Sequence, residues 1–241
     1  DFTGDKVENV EDIMASEPYE CPMRPFGGVE AFAWSPDSKS LVYSSRKKTG
    51  LEYAVSTNSD LYLYSLEDKS TRNLTEGMMG YDTNPAFSPD GTKLAWLSME
   101  HDGYESDKNR IFIMDMATGE KTDLTSDWDY TASEIAWNTD GKTIYFIAAY
   151  QGVTPIFSVD VATKEVKTVA DGVCDYVSLC PADANTLVSM YHSFTAPNEV
   201  CVIKDGKVSK ITAVNDALLA SVDMPDVVKR QIPTTDGKMM T

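Results

Sequence analysis

Phe87-Ser88-Pro89-Asp90-Gly91-Thr92-Lys93-Leu94 is the stretch that decides the fold. It reads as a tight turn between two strands. Proline presets one φ, the aspartate side chain bonds the local backbone, and glycine supplies the positive φ that closes the turn. The pattern recurs at Trp34-Ser35-Pro36-Asp37-Ser38-Lys39-Ser40-Leu41 and at Trp137-Asn138-Thr139-Asp140-Gly141-Lys142-Thr143-Ile144. A worn fourth copy runs Leu179-Cys180-Pro181-Ala182-Asp183-Ala184-Asn185-Thr186-Leu187. Asp37, Asp90, Asp140 and Asp183 lie 53, 50 and 43 residues apart, and an apolar residue follows each by four.

A second signal recurs in phase. Asp60-Leu61-Tyr62-Leu63-Tyr64, Arg110-Ile111-Phe112-Ile113-Met114, Pro155-Ile156-Phe157-Ser158-Val159 and Glu199-Val200-Cys201-Val202-Ile203 are β-rich runs. Each leads through a turn to a short strand ending Asn73-Leu74-Thr75, Asp123-Leu124-Thr125, Thr168-Val169-Ala170 or Lys210-Ile211-Thr212. Each repeat therefore holds four short strands, in the second copy at 83–88, 92–98, 110–116 and 120–125. Helical periodicity is absent over any useful length. Four-stranded units of roughly 40 to 50 residues read as blades of a β-propeller. The chain is expected to be all-β, a partial propeller of antiparallel blades with about four complete ones. Trp34, Phe87, Trp96, Trp137, Tyr145 and Phe157 recur at equivalent positions and are expected in the cores between blades.

Composition narrows the function. The 241 residues are 42% hydrophobic, enough for a sizeable core, and carry a net charge of −17. So acidic a chain repels phosphate backbones and anionic bilayers, which argues against nucleic acid and membrane partners. No stretch approaches the ~20 apolar residues of a membrane helix. Cys21, Cys174, Cys180 and Cys201 form no Cys-x-x-Cys pair, so no zinc site is expected.

The ends suggest a piece of a larger ring. Thr3-Gly4-Asp5-Lys6-Val7 matches Thr118-Gly119-Glu120-Lys121-Thr122 in character, so residues 1–27 read as the last strand of a preceding blade plus a linker. Blades are expected at 28–77, 78–127, 128–172 and 173–215, and 216–241 as a connection onward. In that connection a strand, a turn at Asp236-Gly237 and a new strand follow one another.

The blades, with Tyr19-Glu20-Cys21-Pro22-Met23-Arg24-Pro25-Phe26-Gly27-Gly28, Ser98-Met99-Glu100-His101-Asp102-Gly103-Tyr104-Glu105-Ser106-Asp107 and Ile232-Pro233-Thr234-Thr235-Asp236-Gly237-Lys238, resemble the prolyl oligopeptidase family of serine peptidases. The likeness is to its acylaminoacyl-peptidase and dipeptidyl-peptidase V branch, whose propeller TolB-like proteins share. The resemblance implies a propeller that caps a C-terminal α/β-hydrolase domain of the same parent chain. There it would gate and help position short peptides, in a periplasmic or secreted enzyme that needs no metal or cofactor. The hydrolase's Ser-Asp-His triad is not in this chain: no glycine has a serine two residues on. Nor do His101 and His192 suggest a catalytic base, since His192 adjoins Ser193 and a triad base meets its partners from separate positions. The chain alone is therefore expected to hydrolyse nothing.

The longest connections between second and third strands, 45–59 and 99–109, should share one face of the propeller. The second carries Glu100, Asp102, Glu105 and Asp107 beside Tyr104. A peptide's free α-amino group is cationic near neutral pH, and a partly desolvated carboxylate would hold it by charge-assisted hydrogen bonds. The resemblance makes Glu105 the first candidate, with Tyr104, Glu100 and Asp102 beside it. The competing reading is a solvated acidic loop. Arg46, Lys47 and Lys48 are read as neutralising nearby acids. The rival function is a non-enzymatic TolB-like propeller that binds a protein partner; a propeller glycosidase would need paired carboxylates.

Overall fold

The computed structural model describes residues 2–24 and 27–241. Pro25 and Phe26, within the Tyr19–Gly28 stretch, lie outside the described residues. The chain starts with an antiparallel hairpin of Phe2–Thr3 (β1) and Lys6–Val7 (β2). Four antiparallel sheets follow. The first holds Phe32–Trp34 (β3), Ser40–Ser45 (β4), Asp60–Ser65 (β5) and Thr71–Asn73 (β6), with a short helix Gly50–Val55 (α1) between β4 and β5. The second holds Asp82–Phe87 (β7), Lys93–Ser98 (β8), Arg110–Asp115 (β9) and Lys121–Asp123 (β10). The third holds Ala132–Trp137 (β11), Thr143–Ala148 (β12), Ile156–Asp160 (β13) and Val166–Ala170 (β14). Each pairs only neighbours in sequence, as a blade must.

The fourth sheet departs in one respect. Its first strand is split into Asp175–Tyr176 (β15) and Cys180–Asp183 (β16), both paired to Thr186–Ser193 (β17). Ala196–Lys204 (β18) and Lys207–Lys210 (β19) complete it. At the break, side chains supplement a single backbone bond from Val177 N–H to the Met190 carbonyl at 2.9 Å: Ser189 Oγ donates to the Ser178 carbonyl at 2.6 Å, and Met190 N–H donates to Ser178 Oγ at 2.9 Å. Here the turn motif is most worn. The helix α1 is also new relative to the sequence expectation; at six residues it is too short for a 3.6-residue period to show.

The recurring turn is built as its residues dictate. Ser88 Oγ and Thr92 N–H both donate to Asp90 Oδ1, at 2.7 and 3.0 Å, and Lys93 N–H donates to Ser88 Oγ at 2.9 Å. Ser35, Asp37, Lys39 and Ser40 repeat the arrangement. The outer joint recurs too. Thr75, Thr125 and Thr212 each accept, through Oγ1, the N–H of the third strand's Leu61, Ile111 or Val200 at 2.8–3.0 Å. This joint accounts for Asn73-Leu74-Thr75, where Asn73 Oδ1 accepts the Thr75 N–H and Thr75 is buried.

Alternation along each strand sends apolar residues to both blade faces. Leu94 and Trp96 pack toward the first blade with Val42, Leu61 and Leu74, while Ala95 and Leu97 pack toward the third with Ile144, Phe146 and Phe157. Ile147 and Ile156 meet Tyr176, Leu187 and Ile203 of the fourth. Phe87, Trp96, Trp137, Tyr145 and Phe157 all belong to these inter-blade clusters. Trp34 does not. Its counterpart Trp137 is 8% exposed and donates its indole N–H to the Ala86 carbonyl of the preceding blade. Trp34 is 54% exposed, because its side of the first blade is covered only by the segment around residues 11–22, whose Ile13, Met14 and Cys21 pack on Tyr43, Tyr62 and Tyr64.

Antiparallel order places the tight turns at one end of every blade. The connections between second and third strands, and the links between blades, lie at the other, here called the loop end. A backbone bond recurs there: Ser59, Asn109 and Thr154 carbonyls accept the N–H of Asp82, Ala132 and Tyr176 in the next blade, at 3.0–3.2 Å. Beyond the blades, a helical turn Asp216–Leu219 (α2) and a hairpin of Ile232–Pro233 (β20) and Met239–Met240 (β21) follow. The buried Glu199 carboxylate holds the start of this segment, accepting from Thr212 Oγ1, Val214 N–H and Asn215 N–H, and these donors lower its pKa to about 2.

One turn breaks the glycine rule. Gly91 and Gly141 adopt φ of +71° and +66°, and the matching residue in the first blade is Ser38 at +60°. A Cβ in this region strains the backbone by roughly 1–2 kcal/mol, against roughly 0.5–1 kcal/mol of extra unfolded-state freedom for glycine. Ser38→Gly should therefore raise stability by about 0.5 kcal/mol in urea unfolding; a loss of stability would show the turn to be unstrained.

Candidate functional site

The loop end gathers connections 46–59 and 99–109 on adjacent blades, and a cavity of about 390 Å³ opens between them. Met23, Arg24, Gly27, Arg46, Thr57, Tyr81, Met99 and Glu105 line it. Four parts of the chain meet there: Met23, Arg24 and Gly27, the α1 connection, the acidic connection, and Tyr81 of the link between the first two blades. Gly80, in the link between the first two blades, permits the approach. A Cβ at Gly80 would stand 2.0 Å from the Met99 carbonyl oxygen, so only glycine lets the acidic connection root against the link.

The four predicted residues separate. Glu105 lines the cavity. Asp102 points instead into the neighbouring connection, where its Oδ1 accepts Ser56 Oγ at 2.6 Å, Thr57 N–H at 2.8 Å and Asn58 N–H at 3.1 Å. Those donors lower its pKa. Glu100 faces Arg110 at 3.7 Å. Tyr104 is 57% exposed and stands edge-on to the His101 ring. Asp107 closes the connection on itself, its Oδ2 accepting the N–H groups of Glu100 and His101 and meeting His101 Nδ1 at 2.8 Å. A run of acids that reads as one cluster in sequence thus has members with different work.

The cations separate as well. Lys47 pairs with Glu17, and Lys48 with Glu52 at 3.3 Å, so both neutralise acids. Arg46 does not. No carboxylate lies within ion-pair distance of it among the described residues; its guanidinium lies over the Tyr53 ring at 4.9 Å and donates to the Tyr53 carbonyl, while its buried Nε meets no acceptor. Arg24, paired with Glu20 at 3.0 Å, also reaches the cavity. Sequence spacing could not bring Arg24 and Arg46 to Glu105, because the three lie on separate elements.

His192 meets Asn198 Oδ1 at 3.1 Å and Asp175 at 3.7 Å, while Ser193 Oγ pairs with Thr195. Among the described residues, no group of three or more His, Cys, Asp or Glu could hold a metal, and no helix is long and apolar enough to cross a membrane. The four cysteines are free thiols.

The family model described as the TolB beta propeller domain matches residues 23–217. The chain belongs to the TolB β-propeller domain family. Among curated proteins this TolB-type propeller is 42% identical over 240 residues to dipeptidyl-peptidase 5 of Porphyromonas gingivalis, covering 99% of this chain and 35% of that protein. It is 44% identical over 231 residues to dipeptidyl-peptidase 5 of Porphyromonas endodontalis, covering 95% and 33%. It thus spans about a third of these relatives' length. Among solved structures, acylaminoacyl peptidase of Pyrococcus horikoshii superposes with a TM-score of 0.64 at 21% identity, over 80% of this chain and 28% of that one. TolB of Acinetobacter baumannii superposes with a TM-score of 0.56 at 22% identity, over 76% and 43%. At such identity the structural likeness speaks for the fold. The resemblance carried by the blades and by Ser98–Asp107 is borne out by the sequence relatives.

Next to the lining residue Tyr81, at the start of β7, lies Asp82. It is fully buried; Oδ1 accepts the Trp96 indole N–H at 2.9 Å, and Oδ2 meets no donor. Burial raises its pKa from 3.8 to about 7, and nearby Asp60 adds to the rise. Between pH 3.8 and about 7 the unfolded chain ionises this group while the folded chain keeps it protonated. Its stabilising effect is therefore present below that window and lost as pH rises through it. Asp82→Asn should remove this dependence, so the stability of the wild type relative to Asp82→Asn should fall from pH 4 to pH 8 in urea unfolding; a constant difference would show that Asp82 is ionised throughout.

Proposed function

We propose that this chain is the propeller portion of a dipeptidyl-peptidase-type serine peptidase. In that role it gates a C-terminal α/β-hydrolase domain of the same parent chain and holds the amino terminus of short peptides. The parent would be periplasmic or secreted. The observation that carries the site is that Glu105 lines the loop-end cavity together with Arg46, whose guanidinium pairs with no carboxylate among the described residues.

The chemistry follows from the charges. A free α-amino group, with pKa roughly 8, is an ammonium at neutral pH and donates charge-assisted hydrogen bonds to a carboxylate. Met23, Tyr81 and Met99 supply apolar wall on which a first side chain can rest. A ring of connections at one end of the blades admits short peptides and excludes folded chains by size. The names of the sequence relatives support the peptidase assignment, and the catalytic triad would come from the hydrolase.

Glu105→Gln in the complete enzyme should lower kcat/KM on peptides with a free amino terminus by about tenfold or more, and leave amino-blocked peptides within about twofold. Equal losses on both would exclude amine anchoring.

A further inference from the structure

Asp102 and Asp107 flank the Glu105 tip, and they are tied to different things. Asp107 binds the connection to itself through the N–H groups of Glu100 and His101. Asp102 binds it to the neighbouring blade through Ser56, Thr57 and Asn58. Gly103 N–H completes the link from the other side, donating to Thr57 Oγ1 at 2.8 Å. Four bonds therefore cross between the two connections within two residues of each other. No regular secondary structure otherwise holds 99–109, and its tip residues are exposed.

Both connections also contribute lining to the cavity. Arg46 and Thr57 lie on one, Met99 and Glu105 on the other. Asp102 belongs to the connection that carries Glu105, three residues away, and grips the connection that carries Arg46. Its carboxylate accepts three donors at a single oxygen, an arrangement that favours the ionised form and defines the geometry narrowly. Blade packing alone cannot set this spacing, because both connections project beyond the strands.

We propose that Asp102 is a positioning residue: by clamping the 56–58 segment to the acidic connection, it fixes the distance between Glu105 and Arg46 and so sets affinity for peptides with a free amino terminus. This rests on the reading of Glu105 as the amine anchor. Asp102 itself touches no substrate. Its effect is expected in KM, because the clamp orders a binding wall and not the reacting atoms. Asp102→Asn retains an acceptor oxygen and should keep most of the function, which a residue binding an ammonium by its charge would not.

The test uses the complete enzyme with Asp102→Ala, Asp102→Asn, Glu105→Gln and the Asp102→Ala/Glu105→Gln double variant. Free-amino and amino-blocked peptides are assayed on each, and amide hydrogen exchange is followed at Thr57, Asn58 and Gly103. Asp102→Ala should raise KM for free-amino peptides about tenfold with kcat within about twofold, and speed exchange at the three amides about tenfold. Asp102→Asn should stay within about threefold of wild type. The double variant should be no worse than Glu105→Gln alone, since a positioning effect vanishes with the group positioned. Additive losses, or faster exchange with unchanged KM while Glu105→Gln is impaired, would overturn the positioning role and leave the anchor standing. Normal activity of Glu105→Gln on free-amino peptides would overturn the anchor, and the positioning role with it.

Discussion

No blade of this protein can bury its own apolar residues. Because side chains alternate along a strand, each four-stranded sheet has two apolar faces and needs a neighbour on both. Leu94 and Trp96 face one way and Ala95 and Leu97 the other from a single strand, and both sets are buried because blades stand on either side. Full burial of a Leu or Phe side chain contributes about 1.5–3 kcal/mol, so these interfaces outweigh any single turn or cap. Trp34 and Trp137 show the constraint from both directions. The same residue at the same blade position is buried against a preceding blade in one case and half exposed beside an irregular segment in the other.

Stacking blades fixes where chemistry can occur. The tight turns are closed by local side chains, as Ser88 and Asp90 close theirs, and so have little freedom in length. The connections at the loop end are free of that demand, and there the chain inserts a helix and an acidic segment. Side-chain hydrogen bonds then do what strand pairing does inside a blade. Asp102 and Asp107 bring order to 99–109, which leaves Glu105 free to face the cavity. The same end of the fold also shelters Asp82, a carboxyl whose pKa burial raises to about 7.

Much of this was legible in the chain. The strands of the second blade fall within two residues of where the turn motif and the β-rich run place them, because both signals are local. Proline, aspartate and glycine act on their own backbone, and alternation needs only the next few residues. Two expectations failed for a shared reason. Trp34 was expected in an inter-blade core, and the fourth repeat was expected to hold four strands, whereas its first strand is split in two. Each depends on what lies beside the strand, which local pattern does not report.

The sequence by itself determined the repeat, the strand order within each blade, the β-propeller class and the acidic connection on which Glu105 lies. Tertiary structure alone decided which acids bind donors, which cation is left uncompensated, and that Arg24, Arg46 and Glu105 share one cavity. The physical reason is range. Turn chemistry and alternation act over a few residues, whereas the partners of Asp102 lie 44 to 46 positions away and come within 3.1 Å only once two blades have packed.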